Sequence, residues 1–393
     1  MTAMTLVQSP TRHRPAVRGT AVRGPAVREM AGLSEAVVDL SAVRDNVRTF
    51  RRLVPQGVMA VVKADAFGHG AVPVARAAVE AGAIWLGVAR AEEALQLRAA
   101  GLIVPILTWL YDAAELMLLG DVDVDVSVST VAELQRVVSN PSVHHVQLKL
   151  DTGLHRSGSA PDQWIELTRA AAHYEALGAL TVRGIWSHLS HGDSQDAVQS
   201  RRQLQLLRTG VVLARRAGLR PSVVHLANSA GAITLDAPDC DLARIGAGLY
   251  GIDELNIGLR PTMRLMSKLI QVRRVRIGEG VSYGHDFIAD RDTTVALVPL
   301  GYADGIPRIS TGQASVLCRG VRMPVIGRIA MDQFVVDAGE LPVEAGEPVT
   351  IFGDGSRGEP TAQDWADWAG TIPHEIYCGI GSRVARRYEE AAR

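Results

Sequence analysis

The chain has 393 residues, 47% hydrophobic and 21% charged, with a formal net charge of −1. That length fits two domains or one barrel with an appendage, and the balanced charge gives no global pull toward nucleic acid or an anionic membrane. Cys240, Cys318 and Cys378 are far apart and lack the CxxC or Cys/His spacing of a zinc site, so no metal is expected and a reducing, cytoplasmic setting is; no apolar run reaches the ~18 residues of a membrane span, and none forms a signal-peptide core.

Residues 1–33 stand apart. Pro15-Ala-Val-Arg18, Thr20-Ala-Val-Arg23 and Pro25-Ala-Val-Arg28 form a small repeat rich in Arg, Pro and Gly. Without periodic apolar positions, this tail is predicted to be disordered. From 34 to 262, short apolar runs alternate with Ala/Leu/Glu/Arg-rich segments. Eight runs read as strands: 58–63, 84–88, 104–108, 122–128, 146–150, 182–187, 223–226 and 242–245. Helices are predicted over 71–81, 91–100, 112–119, 130–138, 161–176 and 194–217. Several stop at a glycine: Gly82, Gly101, Gly120, Gly178 and Gly218. Strand then helix, eight times over, is the arithmetic of a parallel (β/α)8 TIM barrel, although a doubly wound sheet uses the same local units. Past 262 the rhythm changes. Runs at 268–277, 293–300, 314–317, 322–326, 333–336 and 348–352 are separated by Gly, Pro and Asp turns, so 263–393 reads as a mostly antiparallel β domain. Thr361 with Asp364 three residues on predicts a capped helix start.

A barrel gathers function at the carboxyl ends of its strands. Lys63, Lys149, Asp151, His188, His225, Asn228 and Arg244 fall there, although each alone also reads as a solvated rim residue. The Val-rich run ending at Lys63 is the most suggestive. A lysine leaving the core at that point is partly desolvated, which lowers its pKa and makes it a usable amine nucleophile. Asn228-Ser229-Ala-Gly231 and Gly246-Ala-Gly248 are small turns whose backbone N–H groups can approach an anion. An imine-forming lysine, a phosphate cradle, a partner for a ring nitrogen (Arg244, unless it only makes a rim salt bridge) and acid/base groups are what pyridoxal phosphate chemistry requires.

Eight ordered blocks resemble the alanine racemase family from about residue 36 onward. They are Lys63-Ala-Asp-Ala-Phe-Gly-His-Gly70, Lys149-Leu-Asp-Thr-Gly-Leu-His-Arg156, His225-Leu-Ala-Asn-Ser229, Arg244-Ile-Gly-Ala-Gly-Leu-Tyr-Gly251, Val281-Ser-Tyr-Gly284, Gly301-Tyr-Ala-Asp-Gly305, Gly327-Arg-Ile-Ala-Met-Asp332 and Glu375-Ile-Tyr377. The resemblance implies a pyridoxal 5'-phosphate enzyme, a cytoplasmic homodimer with shared sites that supplies D-alanine for peptidoglycan precursors. Lys63 would hold the cofactor and act as one base. Tyr283, from the second subunit, would act on the opposite face. Arg156 would bond the cofactor's phenolic oxygen and help bind substrate, with Lys149, carbamylated in some members, supporting it. His188, Asn228, Ser229, Gly246 and Tyr377 would complete the cofactor site, the last three among them as phosphate ligands. Tyr302 and Met331 would line the substrate pocket. Arg244 is a donor-only cation, so it would leave the ring nitrogen unprotonated and limit transamination; His188 and His225 would position it.

Phe67 stands where the family usually has tyrosine, and Ala330 where cysteine or serine is common; Ser187-His-Leu-Ser-His-Gly-Asp193 also departs from the family's pattern. These departures leave open a racemase of another small amino acid such as serine. A decarboxylase on the same fold, or a non-catalytic cofactor-binding protein, is the further alternative.

Overall fold

The computed structural model describes residue 30 and residues 32–119, 122–140, 145–194 and 197–390. The disordered tail expected for 1–33 falls mainly on residues 1–29 and 31, outside the described residues, as does the helix stop at Gly120.

Each of the eight expected barrel strands is present. They are Val58–Val61, Trp85–Arg90, Ile106–Leu110, Asp125–Val128, His145–Lys149, Thr181–Trp186, Val223–His225 and Ala243–Ile245, and the first seven pair in parallel, each with its neighbour in sequence. The last pairs with the first through Val58↔Ala243 and Met59↔Arg244, and a parallel bridge His225↔Leu242 closes the remaining seam. Because strand side chains alternate, each strand has one outward and one inward row. Outward residues such as Val58, Ala60, Leu86, Ile106 and Val146 join the large core beneath the helices. Inward residues Met59, Trp85, Leu107, Trp186, Val223 and Leu242 form a separate cluster inside the barrel. The inward rows also carry Asp125, Gln147, Lys149, His225 and Arg244, all buried.

The second sheet has nine strands in the order Gln271–Val275, Thr293–Val298, Phe334–Gly339, Val321–Ile326, Ser315–Cys318, Pro348–Phe352, Met263–Lys268, Ser34–Asp39, Ala385–Glu389. Its pairs are antiparallel except the last. Two features correct the sequence reading. The stretch 34–262 does not all belong to the barrel, because Ser34–Asp39 buries Ala36, Val37 and Val38 between Met263–Lys268 and Ala385–Glu389. The run 268–277 is two strands, broken where Leu269 and Ile270 bond to Glu347 and Leu297 instead. The helix Ala362–Ala369 has the expected cap, with Thr361 and Asp364 bonding reciprocally at 3.1 and 2.8 Å. One continuous apolar core joins the barrel helices to the second sheet, through Phe50, Tyr250, Leu265, Phe352 and Tyr377.

Candidate active site

A cavity of about 1080 Å³ opens at the carboxyl ends of the barrel strands, and Lys63, Lys149, Arg156, His188, Asn228, Ser229, Arg244 and Gly246 all line it. Lys63 sits just past the Val58–Val61 strand. Burial, then the nearby Arg156 cation, lowers its pKa from the usual lysine value, as an amine nucleophile requires.

The backbone immediately after Lys63 is strained. Ala64, Asp65, Ala66 and Phe67 all have φ between 51° and 54°, a left-handed turn made without glycine. Such a conformation costs roughly 1–2 kcal/mol per residue and persists only where surrounding bonds impose it. Here they do. The Ala64 N–H donates to Glu93 Oε1 at 2.6 Å, and the Ala71 N–H to Asp65 Oδ1 at 2.7 Å. Arg386 Nε donates to the Gly68 carbonyl at 2.9 Å. His69 Nδ1 lies 3.0 Å from the Ala66 and Phe67 carbonyls, so Nδ1 carries the hydrogen, and Thr262 Oγ1 stands 2.9 Å from Nε2. His69 is thus a structural clamp that fixes where Lys63 emerges.

Arg244 is held from several sides. Its Nη1 donates to His225 Nδ1 at 2.9 Å; its Nη2 donates to the Ser187 and Leu226 carbonyls and to His188 Nδ1 at 2.8, 2.9 and 3.1 Å. The guanidinium lies 4.8 Å from the Trp186 ring centre, and Trp186 stacks on His225 at 5.7 Å. A guanidinium only donates, so both histidines must present bare Nδ1 atoms and be neutral. Burial, reinforced by the Arg244 charge, lowers His188 to about 2 and His225 well below its ordinary value. Burial also lowers Arg244 to about 9, which leaves it cationic at neutral pH.

Lys149 Nζ donates to Ser157 Oγ at 2.5 Å and stands 4.4 Å from the Trp186 ring centre. Burial, then Arg244 and Arg156, lowers its pKa to about 8. Asp151 shapes the loop that follows it. Its Oδ1 accepts from the Gly153, Leu154 and His155 N–H groups at 2.9, 3.2 and 3.1 Å, folding the loop that presents Arg156. Ser229 Oγ accepts from the Gly246 and Gly248 N–H groups at 3.0 and 3.1 Å, which pins the two small turns together. Asn228 Oδ1 caps Gly231 at 2.9 Å, leaving its amide hydrogens for a ligand. Phe67 stacks on Tyr250 at 4.5 Å, and its Cζ lies 3.5 Å from where a Cβ of Gly246 would stand, so it covers the Gly246 turn.

Four expected site residues do not line this cavity. Tyr283 lies against a separate hollow of about 260 Å³ beside Arg328 and Ala330. Tyr302 and Met331 are next to each other: the Tyr302 N–H donates to the Ala330 carbonyl at 3.1 Å and the Ala303 N–H to the Met331 carbonyl at 2.9 Å. The three side chains, 67%, 44% and 53% exposed, face outward from the second domain. The fourth is Tyr377. Its ring packs against His69 and Phe352, with centres 5.0 and 5.9 Å away, at the junction of the two domains. His374, which sequence reasoning passed over, lines the cavity and packs on Phe67 at 5.5 Å. Gln147 and Asp125 were passed over as well, although polar residues inside apolar barrel strands are a readable signal.

Two family models match the chain: "Alanine racemase, N-terminal domain" over residues 38–254 and "Alanine racemase, C-terminal domain" over 262–388. The alanine racemase of Thermobifida fusca is 44% identical over 374 residues, spanning 93% of this chain and all of the relative. That of Streptomyces coelicolor is 46% identical over 379 residues, spanning 90% and 95%. Among solved structures, alanine racemase from D-cycloserine-producing Streptomyces lavendulae superposes with a TM-score of 0.88 at 46% identity, covering 92% of this chain and 98% of that one. Alanine racemase from Bartonella henselae with covalently bound pyridoxal phosphate superposes with a TM-score of 0.81 at 28% identity, covering 91% and 100%.

Proposed function

The chain belongs to the alanine racemase family, and from that premise we propose how its own residues divide the work. It is a pyridoxal phosphate-dependent enzyme that interconverts L- and D-alanine. The cavity residues fit that cofactor: an amine of lowered pKa at Lys63, a donor-only cation at Arg244, and the Ser229 hydroxyl between two glycine turns. Lys63, Ser229, Gly246, Asn228, His188, Arg156 and Arg244 would hold it. When bound, the cofactor supplies electron withdrawal, which makes the amino acid's α-hydrogen acidic.

Racemisation requires a proton to leave one face of the α-carbon and return on the other. Lys63 serves one face, where its reduced basicity lets it release as well as take a proton. The partner subunit's Tyr283 serves the opposite face, its phenolic oxygen exchanging the second proton. The observation that carries this division is the outward placement of Tyr283, Tyr302 and Met331, away from the Lys63 cavity of their own chain. A homodimer built on that face would give each cavity a phenol and a substrate wall. Arg156 and the Met331 backbone N–H receive the substrate carboxylate. Arg244 cannot accept a proton, so it leaves the ring nitrogen bare and favours simple return of the proton over transamination.

The free thiols Cys240, Cys318 and Cys378 accord with a cytoplasmic site of action, where D-alanine enters peptidoglycan precursors. Among the described residues no helix is long and apolar enough to cross a membrane. Incubating the purified protein with L-alanine in deuterated water tests the reading. D-Alanine carrying deuterium at the α-carbon is expected; release of carbon dioxide without D-alanine would overturn it.

A further inference from the structure

Buried polar side chains run in line through the barrel interior, away from the cavity. Arg244 Nη1 donates to His225 Nδ1 at 2.9 Å. His225 Nε2 lies 2.7 Å from Gln147 Oε1, Gln147 Nε2 donates to Asp125 Oδ2 at 2.9 Å, and Arg183 Nη1 donates to Asp125 Oδ1 at 2.7 Å. His225, Gln147 and Asp125 have no exposed surface, and Arg244 is 4% exposed.

The chemistry of the ends dictates the middle. Arg244 cannot accept, so His225 Nδ1 must be bare and its hydrogen must sit on Nε2. That hydrogen needs an acceptor, so the Gln147 amide must turn its oxygen to His225 and its NH₂ to Asp125. Asp125, as a carboxylate, accepts from Gln147 on one oxygen and from Arg183 on the other. Every bond therefore points the same way, from cation to anion. Room for this is built in, since a Cβ on Gly184 would stand 2.8 Å from Gln147 Oε1. An apolar barrel interior would fold without such a chain, and burying these groups is tolerable only because each is bonded.

We propose that Gln147 and Asp125 are positioning residues for Arg244, forming with His225 a one-way hydrogen-bond chain that orients the guanidinium toward the cofactor's ring nitrogen. The inference rests on the reading of the cavity as a pyridoxal phosphate site. Anchored at Asp125, His225 stays neutral in one tautomer and takes exactly one Arg244 hydrogen; the Nε–H and the second Nη1 hydrogen remain available to the ring. If the anchor loses its acceptor character, Gln147 can turn over, His225 can change tautomer, and Arg244 loses a fixed partner.

The test is Asp125→Asn, which preserves shape but offers a donor where only acceptors stood. Thr108→Val is the control, because Thr108 is a buried barrel residue outside the chain whose Oγ1 bonds the Ala89 carbonyl at 3.1 Å. Nitrogen-15 NMR of histidine-labelled protein reads the His225 tautomer, and needs no turnover. Absorbance reads the bound coenzyme band, and its loss during prolonged incubation with alanine reads conversion to the amine form. Parent protein and Thr108→Val should show the Nε2–H tautomer. Asp125→Asn should mix tautomers, shift the band, and raise conversion per turnover roughly tenfold, with kcat falling more than KM changes. Should Asp125→Asn not fold, Gly184→Ala displaces Gln147 alone and should give the same signature. The proposal is overturned if whichever variant folds keeps the parental tautomer, band and conversion rate. A parent protein that bound no coenzyme would instead refute the reading of the cavity, and the tautomer comparison would still decide the chain.

Discussion

Lys63 and Tyr283 lie on different domains of one chain and border different hollows, one of about 1080 Å³ at the barrel mouth and one of about 260 Å³ on the second domain. The two groups proposed to flank one carbon are therefore not brought together within a single chain. Complementation between two inactive variants follows from this. Lys63→Ala and Tyr283→Phe should each be inactive alone. Co-folded in equal amounts they should recover about a quarter of parental activity, because half the symmetric dimers are mixed and each of those has one intact site. No recovery from well-folded mixed dimers would mean that both bases come from the same chain.

Tyr283→Phe alone removes only the hydroxyl. The coenzyme absorbance should persist while turnover falls by about 10²–10⁴-fold, the usual contribution of one positioned acid/base group. Full activity of this variant in both directions would refute its role.

Phe67 covers the Gly246 turn, with its Cζ 3.5 Å from the Gly246 Cβ position. Phe67→Tyr would extend a hydroxyl toward the phosphate side. Cofactor binding should tighten by ~1.5–3 kcal/mol, the worth of a hydrogen bond to a charged group. Coenzyme titration of the stripped protein measures it. Unchanged affinity would show that the added hydroxyl finds no phosphate oxygen.

Lys149 is a cation beside two other cations, Arg156 and Arg244, and its pKa of about 8 leaves a neutral fraction near neutral pH. Carbon dioxide adding to that amine, with loss of one proton, would turn the repulsive charge into an attractive one. Protein exposed to carbon-13 bicarbonate should show a carbamate resonance that vanishes in Lys149→Ala. Its absence from the parent between about pH 7 and 9 would mean that Lys149 works as a free amine.

Three histidines are held neutral by burial: His69 at about 4, His188 at about 2, and His225 well below 6.5. Their folded pKa values are depressed, so the stability they confer is present above pH 6.5 and is lost as pH falls. The unfolded chain takes up three protons that the folded chain does not. Asp125 has the opposite sign, because burial raises it to about 6 and the folded state takes up a proton first. The histidines outweigh Asp125, so stability is expected to fall as pH drops from about 6.5 toward 4, by on the order of a kcal/mol or more per pH unit. Urea midpoints at about pH 7.5 and 5 check this; an unchanged midpoint would contradict the neutral histidines.

Much of this molecule could be read from its sequence. The barrel was legible because Val-rich strands such as Val58–Val61 and Gly-stopped helices such as Ala71–Glu80 are local patterns, set by residue spacing alone. Lys63 and Arg244 were legible because each falls near the carboxyl end of a predicted barrel strand, Ser229 because it sits in a small turn, and Arg156 only through the family resemblance of its block. Tertiary structure decided the rest. Ser34–Asp39 joins the second sheet because pairing partners 230 and 350 residues away, near Leu265 and Arg387, compete successfully with its sequence neighbours. The Tyr377 ring meets His69 and Phe352 only because the barrel and the second domain pack together there, a contact that motif spacing does not carry. The inward row that puts Asp125, Gln147, His225 and Arg244 in contact is likewise invisible in sequence, since four separate strands must close into a barrel before their inner faces meet.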